Sequence, residues 1–454
     1  MGKFLGIDFG TTNSVAAVCE NGKAVALKID DNNSREILRS VLYFDQKHHG
    51  FVGKQSVDKY LWDVENLPAL PPVRKHTGRM LKVVGDSTAS GFGGMKLVPE
   101  IVEIDESGRG RLLQSLKSVL ANGFYKGTDV FSKIYMLEEL LAILMRELKE
   151  RAESLSGVKY SNAVIGRPVK YVGENANEQL ALERMRKIAE LAGFEKVVFE
   201  YEPVGAALNF GVDISEPSNI LVFDFGGGTL DVCVMKLPDR EILAVAGRPI
   251  GGDLLSTQIF NDKLLPYFGS QVTLNNGNLD MPRHLMMALS NWYSIVQLKT
   301  KDNIDSLDEL IIKADQKQPV QNLRNLILSD SGFKIYQEID KAKIGLSDNN
   351  EARIRFSSKE LEIDEPVDRS EFERMIRPQL EQSADLLDEV LELAKLDKTQ
   401  IDVVITTGGS SNIPIFKKLL TDYFGENKVR FGESFVSVAK GLAIRAEQEF
   451  AGSM

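Results

Sequence analysis

Two stretches decide how this chain reads: LGIDFGTTNS at residues 5–14 and LVFDFGGGTLD at residues 221–231. Each opens with an apolar, strand-forming run that delivers an aspartate, Asp8 or Asp224, to its carboxyl end. A glycine-rich turn follows, Gly10-Thr11-Thr12-Asn13 in the first and Gly226-Gly227-Gly228-Thr229 in the second, and another β-forming run then leaves. Glycines let a backbone approach an anion closely, and successive turn N–H groups form a concave nest for phosphate oxygens. The hydroxyls of Thr11, Thr12 and Thr229 add further donors. Carboxylates beside a polyphosphate would repel it, so Asp8 and Asp224 point to Mg²⁺ held through its waters. One Asp-x-Gly-Thr string is no more than a tight turn. Two in the same strand-turn-strand setting, 216 residues apart from Asp8 to Asp224, make a paired nucleotide clasp. A G-x-x-x-x-G-K-[ST] string is missing, as is a G-x-G-x-x-G opening a helix, so neither a Walker nor a dinucleotide site is expected.

Outward from the hairpins, the chain repeats itself. The first thirty residues read as a β-meander with a turn at Asn21-Gly22, and NILVFDFGGGTLDVCVMKL followed by EILAVAG repeats its order. Helical patterns are expected over 131–156, ending at Gly157, over about 174–192, ending at Gly193, and over 371–395. Strands are expected at SNAVIGRP and IDVVITT. Residues 38–130 look less regular, with prolines at 68, 71 and 72 and a glycine-rich loop at 91–94, and residues 275–283 read as a surface loop. The expected fold class is α/β with two duplicated lobes around a central nucleotide cleft. Lobe I takes residues 1–214, with core 1–37 and 131–214 and a peripheral insertion 38–130. Lobe II takes 215–426, with core 215–253 and 377–426 and an insertion 254–376. A helical segment, 427–454, returns to lobe I.

At 454 residues, 43% hydrophobic and 26% charged, the composition is that of a globular protein too long for one core. A net charge of −10 argues against nucleic-acid or anionic-membrane partners, which call for a basic face. No apolar run approaches the ~20 residues that span a bilayer. Met1-Gly2 is not followed by the Ser or Thr of a myristoylation signal, since Gly6 stands there. Cys19 and Cys233, the only cysteines, sit in apolar strand-like runs and read as buried thiols in a reducing cytoplasm.

These motifs resemble those of the actin, sugar-kinase and seventy-kilodalton heat-shock superfamily, and the DnaK-type chaperones most closely. The two hairpins are similar to that family's two phosphate motifs, TTGGSSNIPIFKKLL at 406–420 to its adenosine-side motif, and YEPVGAAL at 201–208 to its connecting helix. DKAKIGLS at 340–347, SEFERM at 370–375, AKLDKTQID at 394–402 and IGGDLL at 250–255 extend the likeness over nearly the whole chain. The resemblance implies an actin-like, ribonuclease H-like fold that binds ATP or ADP with Mg²⁺ and hydrolyses ATP slowly. It implies that Asp8, Asp224 and Glu202 order the Mg²⁺ waters. Thr11, Thr12 and Asn13 would meet the phosphates, with Thr229 beside the attacking water. Gly10, Gly226, Gly227, Gly228, Gly251, Gly252 and Gly408 would give backbone approach. Asp340, Lys343 and Ser347 would grip the nucleoside, and Gly409 and Asn412 would line its other side.

The family's water-positioning lysine has two candidates, Lys82 in RMLKVVG and Lys75 in RKHTGR, with Lys82 preferred. Pro168 matches the family's hinge proline, and the arginine expected to pair with it falls near Leu182, with Arg184 nearby. DnaK-type chaperones continue into a peptide-binding β-sandwich, whereas this sequence ends at EQEFAGSM. It therefore resembles the short, nucleotide-domain-only bacterial relatives of YegD type. The expected role is a chaperone-like ATPase switch with nucleotide and protein partners. A small-molecule kinase and an actin-like filament protein are the alternatives.

Overall fold

The computed structural model describes residues 3–30, 36–84, 95–171, 176–211, 216–275, 277–432 and 436–451. The glycine-rich loop at 91–94 and the last residues of the EQEFAGSM tail lie outside them.

The first hairpin builds strands β1 (Leu5–Phe9) and β2 (Asn13–Glu20), and a tight turn leads into β3 (Lys23–Ala26). Asn21 and Gly22 both take positive φ, 55° and 74°, the pairing that closes a two-residue hairpin with the natural strand twist. Strand β4 (Asn162–Arg167) runs parallel to β1, and β5 (Lys196–Tyr201) runs parallel to β4. The sheet order is β5-β4-β1-β2-β3, with the short strand Leu38–Arg39 joined to β2.

Helix α1 (Leu137–Ser156) starts where the Glu139 carboxylate accepts the Met136 N–H at 2.8 Å, and it ends at Gly157 in the left-handed region, φ 70°. Helix α2 (Glu178–Leu191) is capped by the Asn177 side chain, which accepts from Leu180 N at 2.9 Å. The period-two face of β1, Leu5, Ile7 and Phe9, packs into one core with Leu140, Leu141 and Met145 of α1 and Ala181 and Met185 of α2. A short helix, α3 (Glu202–Asn209), follows β5 directly.

Lobe II repeats the plan. Strands β6 (Ser218–Phe225), β7 (Leu230–Leu237) and β8 (Glu241–Arg248) form the second meander. Strands β9 (Val403–Thr407) and β10 (Val429–Arg430) add in parallel on its other side, in the order β8-β7-β6-β9-β10. Strand for strand, this is the pairing scheme of the first sheet. The loops match in register as well: Phe9 pairs Ser14 and Phe225 pairs Leu230, leaving four residues in each turn.

Helix α4 (Gly252–Ile259) follows β8, and α5 (Gly332–Asp348) lies across it. The helix expected over 371–395 is two helices, Arg369–Met375 and α6 (Arg377–Ala394), broken where Pro378 in the first turn of α6 has no N–H to continue the ladder. Helix α7 (Pro414–Phe424) completes the lobe.

The last helix, α8 (Ser437–Phe450), packs on β1, β2, β4 and α3. Its contact with α3 is backbone against backbone, for a Cβ on Gly441 would collide with the Gly205 carbonyl. Val164, Ala206, Val222, Leu442 and Phe450 form the core between the two sheets. At about 1.5–3 kcal/mol per large apolar side chain, this shared core is what joins the sheets through α3 and α8.

The segment from 38 to 130 is more regular than its composition suggests. It holds a three-stranded sheet (Val41–Phe44, Gly50–Val52 and Arg111–Gln114), the helix Lys54–Asn66, and a projecting two-stranded hairpin, Val73–Val84 with Met95–Ile104.

Candidate functional site

Both glycine turns emerge at the same edge of their sheets, and they face each other. A Cβ built on Gly227 would lie 3.0 Å from the Thr12 hydroxyl, so the second loop comes close to the first. Each turn is braced in an equivalent way. Ser40 Oγ donates to Gly10 O at 2.8 Å, while Ser40 N donates to Thr12 O at 2.8 Å. In lobe II, Ser410 Oγ donates to Gly226 O at 3.0 Å. Gly252 N also reaches Gly226 O, at 3.0 Å, and Asp253 N reaches Gly227 O, at 2.8 Å. These donors neutralise the turn carbonyls, which would otherwise repel an anion.

Gly251 and Gly408 are needed for close approach. A side chain at Gly251 would strike the carbonyl of Gly227, and one at Gly408, φ 77°, would strike that of Phe225. Gly409 and Asn412 bound the short 3₁₀ turn that follows Gly408.

Beneath the loops lies a cluster of acids. Asp8 and Asp224 stand one residue before the ends of β1 and β6, and Glu202 opens α3, where the helix dipole favours a carboxylate. Glu202, Asp224 and Asp231 line one small enclosed cavity with Pro168 and Lys170. Desolvation at the floor of the cleft, with the negative charges of Glu202 and Asp224 nearby, pushes the Asp8 carboxyl up to about 8 against the pull of Lys117. Burial, then Glu202 and Asp231, raises Asp224 to about 7. Asp231 rises to about 6 through burial and Glu202, although the Thr229 hydroxyl donates to it at 2.8 Å. Such a cluster calls for positive charge.

Lys117 supplies some of it. Its ammonium donates to Glu202 Oε1 at 3.3 Å, and its side chain is 9% exposed. Burial by itself would lower the lysine, but Glu202 and Asp8 outweigh that and hold it above its usual range. The residue sits on a 3₁₀ turn, Leu116–Val119, just after the strand Arg111–Gln114. The structure does not bring the two lysines considered from sequence to this place. Lys82 is exposed on the projecting hairpin, paired across from Leu97, and Lys75 is ion-paired with Glu106 at 2.5 Å. The only signal for Lys117 was a lone charge in an otherwise uncharged run, LLQSLKSVLA.

On the lobe II side, Lys343 of α5 donates to Gly252 O (2.8 Å), Ser256 Oγ (2.7 Å) and Asp340 Oδ1 (2.9 Å), and Ser256 donates to the same Asp340 oxygen at 2.7 Å. Asp340 and Lys343 are thus locked onto α4, directly behind the second phosphate loop. Ser347 lies one turn further along α5, its carbonyl accepting from Arg369 at 3.3 Å. Asp253, not singled out from sequence, is raised to about 6 by burial, with Lys343 opposing and Asp340 reinforcing. Among the described residues, no three Asp, Glu, His or Cys side chains stand close enough to cage a metal directly. No described helix is long and apolar enough to cross a membrane.

The architecture has clear relatives. A family model described as "Hsp70 protein" matches residues 4–280 and 316–449. Chaperone protein DnaK of Thermus thermophilus is 28% identical over 98% of this chain, and DnaK of Cyanidioschyzon merolae is 27% identical over 98%. The chain spans 61% and 62% of the length of those two relatives. With two matching lobes, paired glycine loops and a family model covering most of its length, the chain belongs to the Hsp70 family and has its actin-like ATPase fold.

Proposed function

We propose that this protein binds MgATP between its two glycine loops and hydrolyses it slowly, using the movement of its lobes as a switch read by a protein partner. The observation that carries the reading is the close approach of the two loops above a buried cluster of three aspartates, Glu202 and Lys117. Backbone N–H groups and the hydroxyls of Thr11, Thr12 and Thr229 bind the phosphates. The excess negative charge of Asp8, Asp224 and Glu202 fits a divalent cation that arrives with the nucleotide and keeps its waters. That cation would neutralise charge building on the β- and γ-phosphate oxygens.

The chain's own groups do the positioning. Lys117, held by Glu202, orients the attacking water and the γ-phosphoryl group. The Thr229 hydroxyl, aligned by Asp231, fixes the other side. Water adds to the γ-phosphorus as its bond to the β–γ bridging oxygen breaks. The electron pair leaves with ADP, and the proton passes to inorganic phosphate. Gly252, Asp340, Lys343, Ser347, Gly409 and Asn412 border the nucleoside side. Because each lobe holds one phosphate loop, the lobes close on ATP and relax on ADP. The free thiols of Cys19 and Cys233, both buried, suit a cytoplasmic setting.

Calorimetric titration of MgATP against Asp8→Ala and Asp224→Ala tests the site. Each variant is expected to lose at least about tenfold in affinity, some 1.4 kcal/mol, and the loss is expected to shrink when Mg²⁺ is chelated. Wild-type affinity in both variants would remove the assignment.

A further inference from the structure

One buried cation plays no part in that mechanism. Arg184 of α2 lies near the position where an arginine paired with the hinge proline was expected, but its guanidinium is committed elsewhere. Nη1 donates to the carbonyls of Leu120 (2.8 Å), Asn122 (3.0 Å) and Val119 (3.3 Å), and Nη2 donates to that of Tyr125 (2.7 Å). Nε faces Glu138 Oε1 of α1 at 3.0 Å. The residue is 7% exposed. The four carbonyls run from the last residue of the 3₁₀ turn carrying Lys117 into the stretch of chain that leaves it. The start of α2 grips the same stretch again, with Asn177 N donating to Ala121 O at 3.0 Å.

On its upstream side the turn follows directly from the sheet strand Arg111–Gln114, in which Gln114 pairs Val41. Ser115 takes a left-handed backbone, φ 58°, and its carbonyl accepts both the backbone N–H and the hydroxyl of Ser118, at 3.1 and 2.7 Å. The downstream side is held instead by donors of α2, the Arg184 guanidinium and Asn177 N. A planar guanidinium fork can serve four carbonyls at once, and a lysine ammonium cannot reproduce that geometry.

We propose that Arg184 is a positioning residue for Lys117: by fixing the carbonyls of residues 119–125 it sets where the Lys117 ammonium stands against Glu202 and the reacting phosphate. The inference rests on the hydrolysis reading above for its effect on rate, but not for its effect on placement. A small displacement of a positioning group costs rate steeply, so the consequence is kinetic before it is thermodynamic.

The test pairs Arg184→Lys with Lys117→Ala, singly and together, in single-turnover ATP hydrolysis. In parallel, the acylation rate of Lys117 by an amine-reactive reagent is located by mass spectrometry, with no nucleotide present. Arg184→Lys is expected to lower kcat about tenfold with KM for ATP within about twofold, and to speed acylation of Lys117 severalfold. In the Lys117→Ala background it is expected to cost nothing further, because both changes remove one action. Where the lysine variant melts too low to assay, Arg184→Gln repeats the comparison.

An equal further loss in the Lys117→Ala background would overturn the proposal, as would wild-type kcat with Lys117 still protected. A wild-type protein that fails to hydrolyse ATP, with Lys117 nonetheless unmasked by Arg184→Lys, would remove the hydrolysis reading and uphold the positioning role.

Discussion

Asp8 and Asp224 show how a single residue can be costly to the empty protein and useful to the loaded one. Folding moves the Asp8 carboxyl from about 3.8 to about 8, so the native state binds a proton that the unfolded chain has already released. Stability from this group is complete below pH ~4, drains away as pH rises, and is gone above about 8. Asp224, raised to about 7, acts in the same direction. Replacing Asp8 by Asn is therefore expected to stabilise the nucleotide-free protein at pH 8 and to do little at pH 5. A relief on the order of 1 kcal/mol, about 2–4 °C in Tm for a lobe of this size, is expected by differential scanning calorimetry. An equal shift at both pH values would count against a strained carboxylate.

The phosphate loops are elements whose shape comes from their braces. Ser40 is buried and satisfies Gly10 O, and its hydroxyl also lies 2.9 Å from that of Ser14. Its alanine variant leaves that carbonyl unpaired, at a cost of about 1–3 kcal/mol, and frees the first loop. Denaturant titration is expected to show that loss, and a fluorescent ATP analogue is expected to bind several times more weakly. Unchanged binding with lowered stability would make Ser40 a packing residue only. The brace in lobe II, Ser410 on Gly226, shares its carbonyl with Gly252 N, so its alanine variant is expected to cost less. The hairpins themselves were legible, because Asp-x-Gly between β-forming runs is local information. Ser40 was not, since it reaches the loop from thirty residues away with no motif around it.

At the scale of the molecule, residues Tyr60, Asp105 and Arg109 of the first half meet Lys299 and Asp330 of the second. Lys299, on the lobe II side, donates to Asp105 and to Asp330, each at 2.8 Å, and Arg109 of the first insertion reaches the same Asp330 at 2.8 Å. The Tyr60 hydroxyl donates to the Asp330 carbonyl at 2.6 Å, and the Tyr60 ring packs edge-on against Phe333. Lys299 and Arg109 are each 6% exposed, so cutting this network strands buried charge, typically at 3–5 kcal/mol. Lys299→Met is expected to speed release of a fluorescent ADP analogue at least about tenfold in stopped flow, because it frees the insertions to part. A lower Tm with unaltered release would confine the network to a structural part.

The sequence by itself determined the two strand-turn-strand units, their equivalence, the aspartates at their ends and the buried thiols, because each follows from residues adjacent in the chain. Only tertiary structure decided which lysine stands in the acidic cluster. Lys82 and Lys75 had the more suggestive neighbours, but a two-stranded hairpin carries them outward into solvent. Lys117 is brought in by a turn whose course depends on helix α2, some sixty residues further on. A cation's role in a cleft is set by which charges it can reach, and that distance exists only once the chain has folded.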